Sequence, residues 1–389
     1  MRKQIDLRWK LFRLTAGLLA SLMVLTALPP VHAQAESPGV SSLSAVLYEP
    51  ESGRVIFEKD AHTARPMAST TKIMTALLAA ENCSPEQMIT VPKQAVMVEG
   101  SSLGLKEGDQ ISMRDLITGL LLESGNDAAN AIALAVSGSL EAFAVLMNER
   151  AAELGMKDST FVTPSGLDQG NHSASAYDMA LLAAEVMRND MLAEICTQKK
   201  AVIHLGNPVR EATVSNHNRL LSLYPYAVGM KTGFTKKSGR CLVSAARKDG
   251  VLLIAVTLNG GDYWNDHMAL YNAGFEKVES VALTLPALPN LAVSGGMTGY
   301  VQLRCDPPPA CVLMKGEAEK VRVCIELPPF TIATVISGQR VGKVRYLLEG
   351  RELCALPLAA AYAVDARPVA GYTQRFWEWF LELFRELAH

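Results

Sequence analysis

The sequence predicts an α/β (α+β) first domain, followed by a small all-β domain and a C-terminal amphipathic helix. Three observations predict this. Over about residues 36–277, apolar residues recur at helical spacing in several stretches and then fill two adjacent strand-like runs. Over about 278–370 the texture changes to short β-branched runs separated by turn residues. Over 371–389 the large apolar residues gather on one side of a helical wheel. A chain of 389 residues, 49% hydrophobic and 20% charged, buries a large core and exceeds one ordinary domain. Its formal net charge of −2 gives no reason to expect a nucleic-acid partner. The words that would hold a nucleotide or a zinc ion do not occur, so neither a cofactor nor a metal is expected.

Residues 1–35 read as a signal peptide. Arg2, Lys3, Arg8, Lys10 and Arg13 precede the apolar run Leu14 to Leu28, and Ala33-Gln34-Ala35 fits a small-residue cleavage site. The run is shorter than the ~20 residues that cross a bilayer. The chain is therefore expected to be exported.

The stretch Pro66 to Glu81 predicts a helix with Ser69 near its first turn, since Ile73, Met74, Leu77 and Leu78 make one apolar face. Ser69 and Lys72 then stand at i and i+3 on the same side, where the amine reaches the hydroxyl. A serine becomes a strong nucleophile when a neighbouring base takes its proton, and a lysine serves as that base once burial or positive potential lowers its pKa. The helix N-terminus supplies such potential, and the Ser69 N–H is half of an oxyanion hole. By itself the tetrapeptide also describes a capping serine with a solvated lysine.

Ser124-Gly125-Asn126 falls between the apolar run Leu116 to Leu122 and the Ala-rich run Ala128 to Val136, which predicts two helices joined by a tight break. Such a break presents a hydroxyl and an amide to a cleft, although the three residues also make an ordinary turn. Lys231-Thr232-Gly233-Phe234 leads into a polar turn at Lys236 to Gly239, followed by the runs Cys241 to Ala245 and Val251 to Val256. The motif is thus expected on a strand entering a hairpin. A strand edge beside a cleft can pair with an extended peptide while Lys231 and Thr232 hold an anionic group. The bland alternative is a surface lysine that protects an edge strand. All three words in this order point to serine acyl transfer.

With these residues in view, the chain resembles low-molecular-mass penicillin-binding proteins of the D-alanyl-D-alanine carboxypeptidase family, whose motif set S-x-x-K, S-D-N and K-T-G it matches except that the middle word here is S-G-N. Glu99-Gly100-Ser101-Ser102, Leu105 to Gly108, Glu123 to Ala128 and Asn148 to Gly166 extend the likeness, which runs from about Ser41 to Phe275. The resemblance implies a β-lactamase/transpeptidase-like catalytic domain, with no cofactor or metal. It implies Ser69 as acylated nucleophile, Lys72 as general base and Ser124 as proton relay. It further implies Asn126, Lys231, Thr232, Gly233 and Phe234 as substrate-binding, with the Phe234 N–H as second oxyanion donor. Peptidoglycan stem peptides ending in D-Ala-D-Ala are the implied substrates and β-lactams the implied inhibitors. Two positions depart from the pattern: Val228 stands where the family often has Asp, and either His217 or Arg219 falls near a basic residue that helps hold the substrate carboxylate. A peptidoglycan endopeptidase, a class A-like β-lactamase and a non-catalytic peptidoglycan-binding protein are the alternatives. The stretch Leu154 to Asn171 holds Asp158 and Asp168 but no glutamate to activate a deacylating water, which disfavours the β-lactamase.

The seven cysteines leave at least one unpaired outside the cell. Cys305, Cys311 and Cys324 cluster in the second domain, where a disulfide or buried reduced thiols are both open. The β-rich domain shows no chemistry, and the family reading is a pedestal. On the last segment Phe376, Trp377, Trp379, Phe380, Leu381, Leu383, Phe384 and Leu387 fill an arc of about 200°. Too short to span, this helix is expected to lie at the membrane surface through its aromatic face, holding the exported protein at the outer face of the cytoplasmic membrane. A terminal helix docked on the protein is the alternative.

Overall fold

The computed structural model describes residues 38–368 and 371–387; the expected signal peptide, residues 1–35, lies outside them. Strands β1 (Ser44–Glu49) and β2 (Arg54–Lys59) form a hairpin. Strands β3 (Met88–Thr90), β4 (Gln110–Ser112), β5 (Lys200–Leu205) and β6 (Arg210–Ser215) make a separate small sheet. Strands β7 (Ala227–Thr235), β8 (Gly239–Lys248) and β9 (Val251–Gly260) join the hairpin in a five-stranded antiparallel sheet of order β2-β1-β9-β8-β7.

Both faces of this sheet are covered, which explains the unbroken apolar runs of its central strands. In β1 all six residues are buried; Val46 and Tyr48 face a helical core on one side, Ala45 and Leu47 a second core on the other. The first core holds the helices Met113–Leu122, Asn126–Ser137, Leu140–Glu153 and Ala176–Val186. Three of these four begin at serines, Ser112, Ser139 and Ser175, each accepting a backbone N–H three residues on, so the starts are fixed locally. The helix Tyr263–Lys277 closes the second core. It lies so near the sheet that a Cβ on Gly274 would come within 2.5 Å of the Leu47 side chain.

The nucleophile segment differs from expectation. The α-helix covers Lys72–Asn82, and Ser69 belongs to a 3-10 turn, Ala68–Thr71, that precedes it. The cause is Ala68, whose backbone is left-handed (φ +49°) and cannot continue a right-handed helix.

The C-terminal part is β-rich, as expected. Strand β10 (Val278–Ala282) pairs with β14 (Ala310–Met314). Strands β11 (Leu291–Ser294), β12 (Tyr300–Val301) and β16 (Thr331–Ile332) form a three-stranded sheet; β13 (Leu303–Arg304), β15 (Val321–Glu326), β17 (Arg340–Leu348) and β18 (Arg351–Ala360) form a four-stranded one. Two of the β-branched runs in this part are divided. The run at 301–303 is split between two sheets, and the run at 332–336 keeps a strand only at Thr331–Ile332 with an isolated bridge from Val335 to Val364. The β1–β2 turn is held to this part by the Arg54–Glu317 ion pair (2.7 Å) and by Arg351, which donates to the Ser52 carbonyl (3.0 Å). All seven cysteines carry free thiols, and Cys324 is exposed on β15. The helix Tyr372–Leu387 ends the described chain, with Phe376, Trp377, Trp379 and Phe384 each more than half exposed.

Candidate active site

A cleft of about 650 Å³ runs past Ser69, Ser124, Thr232, Gly233 and Phe234. It lies where the 3-10 turn meets strand β7, an edge strand of the main sheet. The approach is close: a Cβ on Gly233 would come within 2.8 Å of the Met67 carbonyl oxygen and 3.0 Å of the Ser69 nitrogen. Glycine at this place lets the strand lie against the turn that carries the serine.

Lys72 is fully buried, and its Nζ lies 3.1 Å from Ser69 Oγ, 2.7 Å from Asn126 Oδ1 and 2.6 Å from the Ser165 carbonyl oxygen. Burial, with the Lys231 ammonium as a second cause, pulls its pKa well below the ordinary lysine value, against the opposing charge of Asp127. A neutral amine has two N–H groups and one lone pair. Asn126 Oδ1 and the Ser165 carbonyl are acceptors only, so they take the N–H groups and the lone pair faces the Ser69 hydroxyl. That is the geometry of a base poised on a nucleophile.

Neighbouring segments hold these groups in place. Asn126 Nδ2 donates to the Glu99 carbonyl (2.5 Å), which orients its Oδ1 toward Lys72. Ser124 is left-handed (φ +69°) and nearly buried at the break between two helices, so its side chain reaches the cleft. The segment carrying Ser165 is tied down by Thr75, which donates to the Pro164 carbonyl (2.6 Å), and it meets the nucleophile turn at Gly166. A Cβ there would overlap the Ala68 carbonyl, and φ is +85°. Beneath the turn, the Val162 N–H donates to His172 Nδ1 (2.9 Å), so Nε2 carries the proton and donates to Thr71 Oγ1 (2.8 Å), which donates to the Ala68 carbonyl (2.8 Å). Burial lowers the His172 pKa to about 4, so the ring stays neutral near pH 7.

At the other side of the cleft, Lys231 is 1% exposed and its Nζ donates to the Thr232 carbonyl (3.2 Å). Burial brings its pKa down to about 8. His217 and Arg219 both line the cleft. His217 Nε2 stands 3.8 Å from a Glu123 carboxylate oxygen, and burial followed by the Lys231 charge lowers its pKa.

The structure therefore brings Ser69, Lys72, Ser124, Asn126, Lys231, Thr232, Gly233 and Phe234 to one place. Sequence reasoning missed several contributors. Asp127 is buried, and its carboxylate accepts from the Leu103 and Leu105 N–H groups (2.9 and 3.0 Å) and the Ser102 hydroxyl (2.6 Å), fixing the loop over the cleft. Arg240, Tyr263 and Trp264 also line the cleft. Arg240 had a usable signal, since a hairpin turning at Lys236 to Gly239 puts it opposite Phe234. Ser165 lay in a stretch that reads like the family but had no signal for this role, and His172 and Trp264, from distant segments, had none. Asp158 and Asp168 do not line the cleft, and among its described lining residues there is no glutamate.

Comparison with known proteins agrees with this geometry. A family model described as D-alanyl-D-alanine carboxypeptidase matches residues 31–262, and one described as penicillin-binding protein 5, C-terminal domain, matches 288–366. The chain is 30% identical over 365 residues to D-alanyl-D-alanine carboxypeptidase DacF of Bacillus subtilis, covering 90% of this chain and 93% of that one. It is 32% identical over 369 residues to DacC of Escherichia coli, covering 90% of each. Among solved structures it resembles penicillin-binding protein 5 of Haemophilus influenzae, with TM-score 0.65, 28% identity, and coverage of 84% of this chain and 98% of that one. The carboxypeptidase DacD of Francisella tularensis gives TM-score 0.63 and 26% identity, covering 88% and 98%. A serine-type site in a β-lactamase/transpeptidase-like domain, followed by a β domain of this kind, places the chain in the D-alanyl-D-alanine carboxypeptidase family of low-molecular-mass penicillin-binding proteins.

Proposed function

We propose that Ser69 attacks the carbonyl between the last two residues of a peptidoglycan stem peptide ending in D-Ala-D-Ala, with Lys72 as the base that takes its proton. The observation that carries this reading is the buried Lys72 amine, its lone pair aimed at Ser69 Oγ by two acceptor-only partners. The Ser69 and Phe234 N–H groups receive the developing oxyanion, each good donor lowering the barrier by about 2.7–4 kcal/mol. Ser124 passes the proton to the leaving D-alanine, Asn126 orients the substrate amide, and Gly233 lets strand β7 approach the nucleophile. Lys231 and Thr232 hold the terminal carboxylate, with Arg219 and Arg240 as the surrounding positive field and the His217 ring beside them. Water then hydrolyses the acyl-enzyme, and β-lactams acylate the same serine.

The domain limits that fit this function are 36–277 for the catalytic part, 278–370 for the β-rich spacer and 371–389 for the anchor. The protein works outside the cytoplasmic membrane after loss of residues 1–35. It is held at the surface by the helix Tyr372–Leu387, whose exposed tryptophans and phenylalanines suit the headgroup boundary. The test is release of free D-alanine from a diacetyl-Lys-D-Ala-D-Ala peptide by the mature protein, beside Ser69→Ala. Release that vanishes in the variant is the expected result. No release from folded wild-type protein, or equal release from the variant, overturns the assignment.

A further inference from the structure

Two of the cysteines stand together where no motif drew attention. Cys311 lies on β14 and Cys354 on β18, and the two thiols are close enough for Cys354 to raise the Cys311 pKa and for Cys311 to lower that of Cys354. Cys311 also borders a cavity of about 170 Å³ beside Arg351, Glu352 and Leu353, the residues leading into Cys354. The position of this contact matters. Among the described residues strand β14 pairs only with β10, which follows directly from the helix Tyr263–Lys277, and its Val312 belongs to the catalytic core that includes Leu47, Leu253 and Tyr271. Cys354 instead packs with Val344, Tyr346 and Leu358, the core of the four-stranded sheet. No backbone ladder joins β14 to β18 among the described residues. The two thiols thus meet at the seam between two independently cored bodies.

We propose that Cys311 and Cys354 are a disulfide site, closed after export, that rivets the catalytic core to the β-rich domain. The proposal rests on the exported location inferred above. The oxidant is a disulfide of the thiol-exchange class, small or protein-borne. The Cys354 thiolate, on the more accessible residue, attacks one oxidant sulfur to give a mixed disulfide and release one thiol. The Cys311 thiolate then attacks the Cys354 sulfur and expels the second thiol. Two thiols lose two protons and two electrons, and the oxidant disulfide takes up both pairs. Burial pushes the Cys311 thiol up to about 11, so closure is slow near neutral pH and quickens as pH rises. Cys305 lies in the same core as Cys354 and is the competing partner; Cys324 is exposed on β15.

The test uses the full chain recovered from the exported fraction of cells, and the same protein reduced and then treated with oxidised glutathione. Thiol titration under denaturing conditions should fall from seven to five, and peptide mapping should join the Cys311 and Cys354 peptides. Cys311→Ser and Cys354→Ser should each hold six thiols before and after oxidation. The oxidised wild type should melt several degrees higher than the reduced form. Seven thiols after both treatments, or a bridge to Cys305 or any other cysteine, overturns the proposal. The N-terminal peptide reports processing separately: one beginning at Met1 overturns the removal of residues 1–35, while a Cys311–Cys354 bridge formed by glutathione in that same sample still upholds the pair.

Discussion

Replacing Asp127 with Asn should loosen the active-site loop and, at the same time, lower the pH at which the enzyme switches on. The carboxylate accepts the Leu103 and Ala128 N–H groups at Oδ1, and the Leu105 N–H and Ser102 hydroxyl at Oδ2. An asparagine can keep the Oδ1 pair. Its NH₂ then faces two donors at the other position: the Ser102 hydroxyl can rotate to accept, but the Leu105 N–H cannot. One charge-assisted bond is lost and one buried donor is stranded, which costs about 1.5–3 kcal/mol. The effect on Lys72 has the opposite flavour. Asp127 raises the Lys72 pKa, so removing its charge lowers that pKa further. The free base persists to lower pH, and the acid limb of kcat/KM moves down. Urea unfolding gives the first number and a pH profile of D-alanine release gives the second. Unchanged stability, or an acid limb displaced upward, refutes the reasoning.

Two further outcomes follow from the same geometry. Lys231, whose pKa burial has brought down to about 8, holds the substrate carboxylate only as a cation, so kcat/KM should fall as pH rises through about 8. A bound carboxylate favours the cation, so the alkaline limb of kcat should lie higher than that of kcat/KM; coincident limbs count against a carboxylate partner. Truncation before Tyr372 should move the protein from the membrane to the soluble fraction while leaving D-alanine release intact, and a truncated protein that still sediments with membranes rules out the helix as anchor.

Much of the site was legible because its chemistry sits in short words with fixed internal spacing. Ser69 and Lys72 meet through the i, i+3 relation even though the first turn is 3-10 and not α. Lys231 to Phe234 could be assigned to a strand because the turn at Lys236 to Gly239 and the β-branched runs after it describe a hairpin. What escaped depends on chain segments far apart in sequence. The Ser165 carbonyl acts on Lys72 across 93 residues, and the His172 ring supports Thr71 across 101. No local pattern marks a backbone oxygen as an acceptor for a buried amine. The left-handed Ala68 is also invisible locally, since alanine favours the right-handed helix and only the surrounding contacts hold it otherwise. In the β-rich domain the strand runs were found, but their division among sheets was not: edge and bridge positions are settled by tertiary pairing and not by propensity.

The central claim is that a neutral, buried Lys72 activates Ser69. Its most direct measurement is the rate at which Ser69 is acylated by a β-lactam, followed by intact mass and peptide mapping, in wild type and Lys72→Arg. Arginine fills the same place but is always charged and cannot give up its proton to act as a base. The account predicts acylation at Ser69 in the wild type and its near-complete loss in a variant that still folds. Acylation of Lys72→Arg at the wild-type rate would contradict it.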